Sequence, residues 1–145
     1  MALAIRILDT DADILAAFRL MSVLRDRVKA DTFLAEVRRQ QRDGYQLIGG
    51  FADGTLVALA GSRPGHTLSR GEHVFVDDLI TDPACRGEGH GAAMLAWIAA
   101  RAKAAGVPRV YLDSRVTARG FYEQVGFTMM TGIPCWIDVE KLASP

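Results

Sequence analysis

The chain has 145 residues, 50% of them hydrophobic and 23% charged, which excludes a disordered polymer and suits one domain with a core of its own. Its 17 basic and 17 acidic residues cancel, so no net field recruits nucleic acid or an anionic membrane. Neither a secretory leader nor a bilayer-length apolar run is read, and Cys85 and Cys135 stand far apart, so a cytoplasmic protein with reduced thiols is expected.

Residues 3–8 read as a short apolar strand, after which Asp9, Thr10 and Asp11 offer caps for a helix with Ile14, Phe18, Met21 and Leu24 on one face. A second helix follows, capped by Asp31, striped by Phe33, Leu34 and Val37, and stopped at Gly44. Its other face carries Arg38, Arg39 and Arg42, a charge run expected to be solvated. Residues 45–52 and 55–62 are apolar runs joined by Asp53-Gly54, a strong signal for a tight hairpin. The turn-rich stretch RPGHTLSRG, residues 63–71, reads as a loop, and EHVFVDDLIT, residues 72–81, as the next strand. Strong helix formers over 89–105 place Leu95, Ile98 and Ala102 on one face, with Gly106 at the stop and Pro108 beyond it. Residues 110–113 form a short strand, 118–125 a short helix ended by Gly126, and 127–130 and 136–139 two closing strands.

Between strand and long helix lies CRGEGHGAAM, residues 85–94. Glycine costs more backbone entropy than any other residue, so such a cluster points to unusual dihedral angles or to close approach of something bound. A strand, a glycine-rich loop and a helix aim several backbone N–H groups the same way at the positive end of a helix dipole, an arrangement suited to phosphate oxygens. Gly87, Gly89 and Gly91 leave room for a pyrophosphate, and Arg86 adds charge. GEGHGA, residues 87–92, also fits a dinucleotide fingerprint, with Asp113 ending the following strand. Against an NAD-binding oxidoreductase, residues 81–86 separate the strand from the first glycine, and too little chain follows Asp113 for a doubly wound sheet.

Arg86-x-x-Gly89-x-Gly91, with Phe121-Tyr122-x-x-x-Gly126-Phe127 downstream, resembles the signatures of the GNAT superfamily of acyl-CoA-dependent N-acetyltransferases, and the order of elements is similar over essentially the whole chain. The resemblance implies one α/β domain over residues 1–145, with a mixed, mostly antiparallel central sheet, splayed middle strands and about four flanking helices. It also implies acetyl-CoA as acyl donor. The backbone of Arg86, Gly87, Glu88, Gly89, His90, Gly91 and Ala92 would wrap the pyrophosphate, and Leu79, Ile80 and Thr81 would pair with the pantetheine arm while an amide of that strand polarises the thioester carbonyl. Further cofactor contacts fall to Ser114, Phe121 and Tyr122. Many relatives carry asparagine six residues before the first aromatic of the pair, and this chain departs from them with Arg115.

Amine attack on a thioester needs a base for the amine and an acid for the leaving thiol. Tyr122 matches the family tyrosine that donates to the coenzyme A sulfur; the alternative is that it packs with Phe121 and Val125. For the base, Asp77 and Asp78 alternate along a strand, so at most one faces a cleft unless a bulge intervenes; Asp78 is preferred, acting directly or through a water. His66, His73 and His90 lack metal-ligand spacing, so no metal is expected. His90 lends its backbone to the loop, His73 is an alternative base, and Cys85, without a histidine partner, is a bystander, which makes transfer direct in a ternary complex. Arg25 falls where members of this superfamily border the acceptor. That acceptor is expected to be a primary amine, on a small molecule or a peptide. A homodimer through Met129, Met130, Ile133 and Trp136 is among the expected assemblies, and a non-catalytic acyl-CoA sensor is the rival reading.

Overall fold

Strand β1 (Ala4–Ile7) opens the computed structural model, which describes residues 2–143, and pairs antiparallel with β2 (Gln46–Ala52). Asp53 and Gly54 then take positive φ, 49° and 80°, the twist of a hairpin turn that a short polar residue and a glycine adopt at low cost. The turn leads into β3 (Thr55–Thr67), which pairs antiparallel with β4 (Gly71–Thr81). At the far edge β5 (Val110–Leu112) joins β4 in parallel, giving a mixed five-strand sheet in sequence order. The expected loop over 63–71 is instead mostly ladder, and only residues 68–70 turn. Proline is admitted because β2 stops opposite Ser62, leaving Pro64 on a stretch of β3 whose other edge has no strand neighbour to receive an N–H.

Helix α1 (Asp11–Leu24) starts at Thr10, whose hydroxyl accepts the Asp13 N–H at 3.1 Å. Helix α2 (Phe33–Arg42) starts one residue later than expected, at Thr32, without a side-chain cap. Its Arg38 is not simply solvated: it donates to Asp11 at 2.6 Å and so ties α2 to the start of α1. Helix α3 (His90–Ala104) packs on β3 and β4.

Consecutive glycines reveal the two covered faces of the sheet. A Cβ on Gly49 would meet Leu8 and Leu56, and one on Gly50 would meet Met94 and Ala58. Leu8, Ile14, Leu20, Phe33, Leu47, Leu59 and Ile80 fill the α1–α2 side, and Met94 comes from α3 on the other. Burial on both sides explains why β2 and β3 read as unbroken apolar runs and not as alternation.

This unit ends at Asp113, and a second compact unit begins at Ser114. It contains a 3-10 turn at Val116–Ala118, α4 (Arg119–Val125) and a short α5 (Val139–Ala143). The two expected closing strands are not formed: residues 127–138 lie in no strand. Met130, Ile133 and Trp136 are exposed there, and Gly132 and Pro134 interrupt the run, so apolar composition has no ladder to join.

Candidate functional site

Two carboxylates meet at an irregularity in β4. Val76 pairs with Ser62 and Asp78 with Gly61, so Asp77 is an extra residue with no opposite number. The bulge breaks the alternation that would have separated Asp77 from Asp78. Asp77 accepts from Arg63 Nε at 2.8 Å, and Asp78 Oδ1 accepts from Arg25 Nε at 3.0 Å. A second nitrogen of Arg25 donates to the Asp77 carbonyl, fixing the end of α1 against the bulge. The buried Tyr45 hydroxyl donates to Asp78 Oδ2 at 2.7 Å. Burial first, and then the charges of Asp78 and Asp77, push the Tyr45 phenol far above its ordinary value.

Beyond this network β4 is open on one side. Its pairing with β5 covers only Val74–Val76, so from Asp77 to Thr81 the main chain on that edge has no strand partner among the described residues. This stretch carries Leu79, Ile80 and Thr81. Ile80 turns into the core, and Leu79 and Thr81 are half-buried.

Thr81 leads into Asp82, whose carboxylate accepts from Ala84 N–H and Arg19 and is held below the usual carboxylate range by them. After the 3-10 turn Pro83–Cys85, the loop reaches α3 through Gly87 and Gly89, with φ of 84° and 82°. A Cβ on either would meet nothing within 4 Å, so left-handed dihedral angles, not crowding within the protein, select glycine there. Gly89 is the N-cap of α3 and offers no side chain to the helix. The N–H groups of the first turn, on His90, Gly91 and Ala92, therefore point out of the helix as a ready anion site beside Arg86. His90 is buried, with Nε2 3.2 Å from the Glu88 carboxylate, consistent with a contribution through its backbone.

His73 is not beside the two aspartates. It lies five residues before Asp78 on β4, buried, with Nδ1 on the Gly71 carbonyl and its ring edge-on to Tyr111. The suggestion of His73 as an alternative base is corrected accordingly, because its ring is committed to packing against Gly65 and Tyr111.

In the second unit, α4 ends in a Schellman arrangement: Gly126 has φ 117°, its N–H reaches the Glu123 carbonyl, and the Phe127 N–H reaches the Tyr122 carbonyl. The reversal sets Phe127 edge-on to Tyr122 at 5.6 Å, with Phe121 at 5.0 Å on the same ring. Partial burial raises the Tyr122 phenol above its ordinary value, so it carries its proton at neutral pH. Ser114 donates to the Arg115 carbonyl at 2.7 Å.

A model of the Acetyltransferase (GNAT) family matches residues 14–127. The chain belongs to this family. It is 31% identical over 118 residues to the uncharacterized N-acetyltransferase YhdJ of Bacillus subtilis, a match covering 78% of this chain and 83% of that protein. Among solved structures, an acetyltransferase of Trypanosoma brucei superposes with a TM-score of 0.78 at 24% identity, covering 94% of this chain and 99% of that one. The aminoglycoside N-acetyltransferase AAC(6')-Iy in complex with CoA gives 0.78 at 18% identity, covering 96% and 97%. These structural likenesses establish the GNAT fold, with its mixed sheet and flanking helices.

Within the first unit of this GNAT protein, Asp77, Asp78, Leu79, Ile80 and Thr81 share one strand end, and Arg86, Gly87, Glu88, Gly89, His90, Gly91 and Ala92 follow a short turn later. Ser114, Phe121 and Tyr122 belong to the second unit. Sequence reading passed over Tyr45 and Gly61. The available signal was Gly61 itself, a glycine inside an apolar strand run, which marks a bulge or a close approach.

Proposed function

We propose that this chain moves an acetyl group from acetyl-CoA directly to a primary amine. The observation that carries the reading is the uncapped first turn of α3, entered through two left-handed glycines, beside an unpaired edge of β4. The residues present suit the donor: exposed N–H groups and Arg86 for a pyrophosphate, and open main chain from Asp77 to Thr81 for an amide-bearing arm. Coenzyme A supplies the activated thioester. An N–H of β4 stabilises charge growing on the thioester carbonyl oxygen.

Asp78 takes the proton that the amine loses as its nitrogen bonds the acetyl carbon, and passes it to solvent. Tyr122 gives its proton to the sulfur as the C–S bond breaks, and regains one from solvent. The phenol, kept protonated at neutral pH by burial, suits a donor. Asp77, beside the same bulge, shapes the acceptor side with Arg63. The acceptor is a primary amine on a small molecule or a peptide; the AAC(6')-Iy likeness makes an aminoglycoside a rational first probe.

Thermal shift with coenzyme A, acetyl-CoA and NAD tests the binding step, followed by thiol release against kanamycin, an alanine-initiated peptide and ethylamine. Stabilisation by the two coenzyme A forms, none by NAD, and thiol release with an amine are expected. Protection without release against any amine would replace the enzyme with an acyl-CoA sensor, and protection by NAD alone would remove both.

A further inference from the structure

A tyrosine outside every sequence motif holds the carboxylate assigned as base. Tyr45 stands just before β2, Gly61 lies on β3 opposite Leu47, and Asp78 lies on β4 opposite Gly61, so the phenol reaches diagonally across β3. The Tyr45 hydroxyl crosses above Gly61 to donate to Asp78 Oδ2 at 2.7 Å. A Cβ on Gly61 would overlap both the phenol oxygen and Asp78 Oδ2, so the missing side chain is what opens the path. Gly61 has no left-handed φ, and its need is for space alone. The register shift falls at the same residue, so bulge, gap and phenol form one device.

The two oxygens of Asp78 have unlike partners. Oδ2 is held by a phenol with 5% of its surface exposed, Oδ1 by Arg25, whose side chain is 44% exposed. The Tyr45 contact is therefore shielded from solvent, while the Arg25 contact, backed by a second bond from Arg25 to the Asp77 carbonyl, reaches it. We infer that Tyr45 is a positioning residue: it pins Asp78 through Oδ2, across the gap at Gly61, so that Oδ1 is presented to the acceptor amine when Arg25 gives way. The inference rests on the reading of Asp78 as proton acceptor. The charged and titratable groups around this carboxylate are Tyr45, Arg25 from the end of α1, Asp77 on the same strand and Arg63 on β3.

The test uses the full chain with acetyl-CoA and ethylamine as the probe amine, reading kcat apart from the KM for acetyl-CoA. Tyr45→Phe should lower kcat for ethylamine about tenfold, the rate equivalent of one hydrogen bond to a charged group. The KM for acetyl-CoA should stay within about twofold, and Gly61→Ala, whose Cβ would meet the phenol oxygen, should reproduce the pattern. A KM for acetyl-CoA that rises as far as kcat falls would mean a purely structural tyrosine and overturn the inference, as would an unchanged kcat. Full ethylamine activity in Asp78→Asn would remove the base assignment and with it the positioning role. Where wild type does not turn over ethylamine, a crystal structure of Tyr45→Phe decides: an Asp78 carboxylate displaced from its wild-type position upholds the clamp, and an unmoved one overturns it.

Discussion

Tyr122 owes its setting to the residue that ends its helix. Gly126 at φ 117° reverses the chain and brings Phe127 onto the Tyr122 ring, so the glycine and the second phenylalanine of the motif serve the tyrosine mechanically. Tyr122→Phe keeps the ring packing and deletes the hydroxyl proposed as the acid. Its kcat should fall at least about a hundredfold while coenzyme A still raises the melting temperature, as thiol-release kinetics and thermal shift would show. Tyr45 gives a prediction on the alkaline side. A phenol raised in the fold above its ordinary pKa of about 10 contributes stability that is complete below that pH and is lost as pH climbs above it. Denaturant melts of wild type should therefore weaken more steeply than those of Tyr45→Phe above about pH 10. The two tyrosines also differ in legibility. Tyr122 announces itself through spacing to Phe121, Gly126 and Phe127, whereas the role of Tyr45 depends on a register shift two strands away that no local pattern encodes.

At the level of elements, local chemistry was readable wherever it alone decides the backbone. Thr10 caps α1 and Asp53-Gly54 turns the hairpin because short-range dihedral and hydrogen-bonding preferences suffice. The stretch 63–71 misled for the opposite reason: its glycines and proline are turn formers, but β4 offers it a ladder through to Thr67. The closing strands failed from lack of a partner. In the loop before α3 the sequence pointed to unusual dihedral angles or to close approach of something bound, and Gly87 and Gly89 take left-handed angles with no protein atom within 4 Å of a Cβ. Gly89→Ala should then cost about 1–2 kcal/mol in denaturant melts through left-handed strain, with no steric clash to relieve. Coenzyme A affinity, measured by calorimetry, should fall as well, because the N-cap dihedral aims the first turn of α3.

Taken whole, the molecule concentrates its burial in the unit ending at Asp113. Leu59 is fully enclosed between β3 and the first two helices, and Leu59→Ala should destabilise by about 2–5 kcal/mol. Trp136 in the second unit is 84% exposed, and Trp136→Ser should change stability by no more than about 0.5 kcal/mol in the same melts. This contrast was only half legible. The apolar face of α1 named its core residues from periodicity, but Met130, Ile133 and Trp136 are equally apolar in sequence and end up outside.

The bulge has a consequence for chain length. Val76 and Asp78 face the successive residues Ser62 and Gly61, so a gene short of the codon for Asp77 would encode a strand in which every remaining neighbour still stood opposite its mate. Elsewhere in a ladder, losing one residue turns inside to outside for all that follows. At this point the reading frame of the sheet is indifferent, and what the spare residue adds is a carbonyl for Arg25 and a carboxylate for Arg63.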